Sequence, residues 1–385
     1  MRDIIVIGAG AVGSAALRAA SEAGATVLGL EQYTPAHARG SSHGHSRVFR
    51  HAYFEHPDYV PLLRHSTARF ESLERESAAS LLHRCGVLSV GPPGSEVVLG
   101  SLASARRWGL PVEALDAPAL RSRFPWFSYA DDASGAFEAN AGILRPEAIV
   151  GASIRVAQAR GAELRITSRV RRVIEDATGV SVETDQGNER AAAVIIAAGA
   201  WTPHLLPELG SSLTVTRQVQ AWMAPAADID ASRMPCWLLD RGPDQRAVYG
   251  IAPDPGAPPD ANGAPSLSRY PKAGLHGSGD LVDPDIGAAP VDESDIERLR
   301  DAYSAFAPSL AGELVDAATC LYTMSPDGHF LVGTRRGSTR THFAAGLSGH
   351  GFKLAPALGD ALVDLAINGR TELPIGFLSP ARFQP

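Results

Sequence analysis

The chain has only three cysteines, Cys85, Cys236 and Cys320, among its 385 residues. An odd number of thiols at wide, irregular spacing builds neither a disulfide framework nor a zinc site, so each needs its own explanation and no metal is expected. Long apolar runs are missing as well. Ile4 to Gly10 and Ala191 to Ala200 fall far short of the roughly 20 residues a membrane-spanning helix requires. Excess positive charge is absent: the formal net charge is -7, which offers no field to displace counterions from a phosphate backbone and argues against nucleic acid as a partner. Met1 leads straight into an apolar strand, without a basic leader and a small-residue cleavage site, so a cytoplasmic location is expected.

What remains is ordinary globular material, 45% hydrophobic and 20% charged. Its length is enough for two packed domains, because one apolar core rarely grows past roughly 250–300 residues. Asp3 to Ile7 reads as a buried strand, Ala11 to Ala23 as a helix stopped by Gly24, and Thr26 to Leu30 as a second strand closing on Glu31. A polar segment, Thr34 to Arg50, follows, and it is costly to bury without a partner. Tyr59 to Ala78 has helical spacing, as does Pro146 to Ala159; the strands Glu163 to Ile166, Val170 to Glu175, Val180 to Thr184 and Ala193 to Ala197 come next at hairpin-like intervals. From Gln218 to about Val315 the pattern is mixed, and Ala252 to Pro265 reads as an exposed Pro/Gly-rich loop insertion. The last segment, from Cys320, carries short strands at Phe330 to Val332 and His342 to Ala345 and a closing helix, Ala355 to Ile367.

Gly8-Ala9-Gly10-Ala11-Val12-Gly13 sits between the first strand and the first helix. Glycines there permit a tight turn, close approach of backbone to a pyrophosphate, and close helix–strand packing. Glu31 ends the next strand, where a carboxylate can accept hydrogen bonds from an adenosine ribose and would repel a 2′-phosphate. The whole unit points to a dinucleotide, leaving FAD and NAD open and disfavouring NADP.

Three distant segments decide between them: Gly40-Ser41-Ser42-His43-Gly44-His45-Ser46-Arg47-Val48-Phe49-Arg50, Cys320-Leu321-Tyr322-Thr323, and Gly346-Leu347-Ser348-Gly349-His350-Gly351-Phe352-Lys353. With Ala198-Gly199-Ala200-Trp201 and with Lys272 four positions before His276, they closely resemble the monomeric sarcosine oxidase family, which includes N-methyltryptophan oxidase. The resemblance runs the length of the chain. It implies a mixed α/β (α+β) fold: a Rossmann-like FAD-binding domain of residues 1–85, 146–217 and 320–385, interleaved with a substrate domain of residues 86–145 and 218–319 built on an antiparallel sheet. It also implies a monomer.

The resemblance assigns roles residue by residue. Cys320 matches the cysteine that carries FAD through a thioether to the flavin 8α-methyl group, whereas Cys85 and Cys236 read as ordinary packed thiols. His43 and Arg47 match positions beside the flavin ring, where a cation stabilises charge on the reduced ring. Ser41, Ser46, Val170, Ala198, Gly199, Trp201, Gly349, Gly351 and Phe352 are the further cofactor contacts it implies. Arg50 and Lys353 match the two cations that hold a substrate carboxylate. Lys272 matches the lysine credited with activating O2, and His276, Tyr249 and Tyr322 are expected to line the site.

The function so implied is oxidation of a secondary amino acid, N-methyl or cyclic, by O2. It yields an imine and hydrogen peroxide, then formaldehyde and a primary amino acid if a methyl group is lost. Three other readings stay open at this stage: a flavin dehydrogenase using another electron acceptor, an NAD-linked dehydrogenase, which gives Cys320 no role, and a flavin-holding sensor without turnover.

Overall fold

The computed structural model describes residues 1–225, 233–243, 245–259, 266–277 and 279–383. Residues 260–265 of the expected insertion therefore lie outside the described part. Its beginning is not an exposed loop: Ala252 and Asp254 are each 2% exposed. Arg145 Nε and Nη2 donate to the two Asp254 carboxylate oxygens at 2.8 and 2.9 Å. A buried guanidinium needs a carboxylate partner, and this one pulls the start of the segment inward.

An eight-stranded sheet forms around the first unit, in the order Val170–Asp176, Gly179–Thr184, Gly187–Ile196, Arg2–Ile7, Val27–Leu30 and Glu163–Arg165. Thr341–Ala345 pairs with the far end of Gly187–Ile196 and with Leu331–Thr334. The central neighbours of Arg2–Ile7 run parallel to it, and its strand reads as unbroken apolar sequence because both faces are covered. Ile4 and Val6 point into a core shared with helices Ala11–Glu22 and Ala355–Asn368, where Leu17, Leu358 and Leu362 meet them. Ile5 and Ile7 point the other way, onto Leu28, Val194 and Leu206.

A nine-stranded sheet is built from residues 87–138 and 214–324. Its longest pairing joins Thr214–Met223 to Leu314–Met324, antiparallel, with Cys320 opposite Gln218. The positions 217/218 and 319/320, given above as domain boundaries, fall inside two continuous strands, both in this sheet, and Cys320 to Met324 is the tail of a long strand. Two helices that the sequence pattern left unmarked cover this region. Glu96–Trp108 starts at Ser95, whose side chain caps Val98 N, and Glu293–Tyr303 starts with a capping box between Asp292 and Asp295. The second places Ile296, Leu299 and Tyr303 against Trp237 in the core. A three-stranded sheet, Arg47–Phe49, Gly142–Leu144 and Leu82–His83, sits beside these. No helix among the described residues is long and apolar enough to cross a membrane.

Candidate active site

The two large sheets meet along one long cavity, lined by both. At one end is the glycine turn. Gly8 has φ +88°, and a Cβ there would come within 2.5 Å of Ala197 O; a Cβ on Gly13 would come within 1.8 Å of Gly8 O. Gly8 and Gly10 line the cavity, whereas Gly13 lies outside it and keeps helix and strand in contact. Ala9 N–H and Tyr33 N–H donate to the two Glu31 carboxylate oxygens at 2.8 and 2.9 Å. Burial pushes Glu31 toward protonation, but His37 and these two N–H groups outweigh it and hold the carboxylate below its usual range. The turn therefore holds an ionised acceptor in place at this end of the cavity.

The inner part of the polar segment after it, around His43, Gly44 and Ser46, is buried, and its backbone is held by side chains of other elements. Gly44 N–H and His45 N–H donate to Glu147 Oε1 at 2.7 and 3.0 Å. Lys272 Nζ donates to Gly44 O and Ser46 O at 2.8 Å each and to Gln220 Oε1 at 3.2 Å. Burial and then Arg47 push Lys272 well below the usual lysine range. Three acceptor oxygens converge on it, however, and a neutral amine has only two N–H groups, so the geometry holds the charged form. Lys272 opens the strand Lys272–Leu275 and His276 follows it; spacing by four along an extended chain keeps both on one face, and both line the cavity.

Cys320 is buried, and its thiol is pushed up by burial and partly drawn back by Arg47 and Lys272. Ser41 Oγ donates to Leu321 O, tying the polar segment to the cysteine strand. Arg47 donates to Ser46 O at 2.8 Å and Ser41 O at 2.7 Å, both backbone acceptors. His43 departs from expectation: it is absent from the cavity lining, and burial followed by Arg47 lowers it to about 4. It is neutral near pH 7, and of the two only Arg47 lines the cavity as a cation.

Arg50 and Lys353 converge on one aromatic ring. Arg50 Cζ lies 4.4 Å and Lys353 Nζ 5.0 Å from the Tyr53 ring centroid. Tyr53 O–H lies 2.6 Å from His350 Nδ1, and Lys353 Nζ donates to His350 O at 3.0 Å. Lys353 is buried, and burial, then Arg50, lowers it to about 7. His276 stands edge-on to the Tyr322 ring at 6.0 Å and is lowered to about 4 by burial. Burial also raises Tyr249 and Tyr322 above their usual range, so both remain neutral phenols.

The cavity brings together Ser41, Ser46, Val170, Ala198, Gly199 and Trp201 as well, along with Gly349, Gly351 and Phe352. A Cβ on Gly349 would come within 2.1 Å of the Tyr322 ring, which therefore stacks on bare backbone. Sequence reasoning missed Glu55, Gln220 and Ser168, all in the lining. Gln220 had a signal: Thr216, Gln218 and Gln220 alternate along a strand and all are buried, marking a polar face turned inward. Gln220 Nε2 and Ser168 Oγ are buried without a protein partner, which suits a polar ligand beside them. Among the described residues no group of three or more His, Cys, Asp or Glu could hold a metal ion.

Comparison with known proteins matches residues 3–365 to the family model described as FAD dependent oxidoreductase. The monomeric sarcosine oxidase of Streptomyces avermitilis is 38% identical over 384 residues, covering 99% of this chain and 97% of that protein. The N-methyl-L-tryptophan oxidase of Yersinia pestis is 33% identical, covering 99% of each. The structure of NikD, described as an unusual amino acid oxidase essential for nikkomycin biosynthesis, superimposes with a TM-score of 0.83 at 28% identity, covering 98% of this chain and 97% of that one.

Proposed function

This chain belongs to the FAD-dependent oxidoreductase family, and from that footing we propose that it is a flavin-dependent oxidase of a secondary amino acid. Its relatives named for sarcosine and N-methyl-L-tryptophan support that class of substrate. The observation that carries the reading is the convergence of Arg50 and Lys353 on Tyr53, in the cavity that also holds the glycine turn, Cys320 and Lys272.

The residues fit FAD. Gly8, Gly10 and Glu31 hold the adenosine and pyrophosphate end. The unpartnered Ser168 Oγ and Gln220 Nε2 would give it further hydrogen bonds, and Cys320 Sγ would carry it as a thioether. When bound, FAD would supply the two-electron redox chemistry, oxidation of the carbon beside the amine and reduction of O2 to hydrogen peroxide. The protein does the rest. Arg50 and Lys353 grip the carboxylate and so fix which C–H bond is presented. His276, kept neutral by burial, accepts a hydrogen bond from the substrate nitrogen. Arg47 and Lys272 supply fixed positive charge where negative charge develops. The imine released hydrolyses, to formaldehyde and a primary amino acid for an N-methyl substrate. The first sheet thus brings the glycine turn to the cofactor and the second brings Cys320, Lys272 and His276, in a monomer working in the cytoplasm.

Anaerobic mixing of the yellow enzyme with N-methyl and cyclic amino acids tests this. We expect bleaching with at least one of them, and return of colour with release of peroxide on admitting air. An FAD-loaded enzyme that no member of the panel bleaches defeats the reading. Bleaching followed by very slow recovery in air makes it a dehydrogenase with another acceptor.

A further inference from the structure

Two thiols outside the cavity meet. Cys85 precedes Gly86 at the entrance to the strand Val87–Gly91, and Cys236 opens the strand Cys236–Leu239. These strands pair in parallel with Cys236 opposite Val87, and Cys236 N–H donates to Gly86 O at 3.0 Å. Residues 151 positions apart in the chain thereby place their sulfur atoms 3.8 Å apart. Both are free thiols, Cys236 buried and Cys85 half-buried. A disulfide requires sulfurs at about 2.05 Å, so closure asks for a movement of roughly 2 Å between side chains whose backbones are already neighbours.

The pair is also differentiated. The hydrogen bond from Cys236 draws the Cys85 thiol down toward the thiolate, while burial holds Cys236 protonated. The more accessible sulfur is the better nucleophile, and the enclosed one stands ready behind it.

We propose that Cys85 and Cys236 are an oxidisable dithiol, closed by hydrogen peroxide into an intramolecular disulfide that ties together the two chain segments of the nine-stranded sheet. The Cys85 thiolate attacks one peroxide oxygen, the O–O bond breaks, and the departing hydroxide takes a proton to leave as water. Cys236 then attacks the sulfenic sulfur, forming the S–S bond, and the displaced hydroxide leaves as water with the Cys236 proton. Two thiols are oxidised by two electrons in all, and one peroxide is reduced to two waters. Leu238, two residues along the strand from Cys236, lines the cavity, so the bridge braces one wall of the site. The oxidant is the class of molecule that the proposed oxidation releases, but closure by added peroxide does not depend on that reading.

The test supplies hydrogen peroxide to reduced holoenzyme in slight molar excess, blocks free thiols with N-ethylmaleimide, and maps peptides without reductant. We expect a cross-linked peptide joining Cys85 to Cys236, released by dithiothreitol and absent from Cys85→Ser and from Cys236→Ser. In Cys236→Ser, dimedone should capture a sulfenic acid at Cys85. Should that variant fail to fold, the wild-type map and Cys85→Ser decide alone. Complete labelling of both thiols after peroxide overturns the proposal, as does conversion of Cys85 to sulfinic acid while Cys236 remains labelled.

Discussion

Arg50 meets the cavity already engaged: its Nη2 donates to both carboxylate oxygens of Glu55, at 2.6 and 2.8 Å. Burial pushes Glu55 up, but Arg50, His350 and Lys353 outweigh it and hold it at about 2. In the proposed clamp a substrate carboxylate would compete with this internal one, and the fork geometry of the guanidinium would decide the contest. Arg50→Lys keeps the charge and loses the fork. Its KM for the amino acid should rise roughly tenfold to hundredfold, the equivalent of about 1.5–3 kcal/mol for a charged hydrogen bond, with a smaller change in kcat. An unchanged KM removes Arg50 from the clamp.

Lys353 gives the clamp a pH limit. With its ammonium lowered to about 7 by burial and Arg50, it is charged below pH 7 and neutral above. Affinity for a carboxylate ligand should be level at lower pH and weaken above 7, by up to about tenfold per pH unit, until Arg50 alone holds it. Glu55 favours the charged lysine, so Glu55→Gln should move the break toward acid. Titrating binding of a redox-inert carboxylate from pH 5 to 9 reads both effects; a Lys353→Met enzyme with the same break assigns it elsewhere.

Lys272→Met should separate the two halves of turnover. Anaerobic bleaching by substrate should change little, whereas return of colour in air should slow roughly hundredfold or more, the scale of losing one preorganised charge. Stopped-flow measurement of each half checks it, and equal slowing of both contradicts the assignment.

Cys320→Ser should let acid precipitation release all yellow pigment to the supernatant, while the wild-type pellet stays yellow. Pigment leaving the wild type as freely rules out the thioether.

Gly13→Ala acts through packing. Its new Cβ has 1.8 Å to Gly8 O, and helix or turn must shift, at roughly 1–3 kcal/mol for an overpacked site. Flavin content per chain should fall severalfold, although Gly13 lies outside the cavity lining. Full loading in that variant contradicts the close approach.

These residues differ in how openly the sequence displays them. The strand-turn-helix-strand unit ending at Glu31 was legible because apolar period and glycine placement are local. Pro146–Ala159 was expected at the bounds it has. The long pair Thr214–Met223 and Leu314–Met324 was not, because the inward face of its first strand carries Thr216, Gln218 and Gln220, so the alternation is present but places polar residues where a buried strand ordinarily shows apolar ones. Glu55 was missed for a related reason: nothing near it in sequence says that Arg50 will fold back on it. The neutrality of His43 was illegible too, since burial is a property of the packed molecule.

Lys272 carries a last implication. All three of its N–H bonds are spent on Gly44, Ser46 and Gln220, so in the role proposed for it Lys272 would have no proton to offer a passing oxygen molecule and would act at a distance, by its field alone. The same ammonium is the rivet between a loop from the first half of the chain and a strand from the second. A substitution here that removes the proposed field therefore also unfastens that loop, so Lys272→Met should melt at a lower temperature even where the reductive half of turnover is kept.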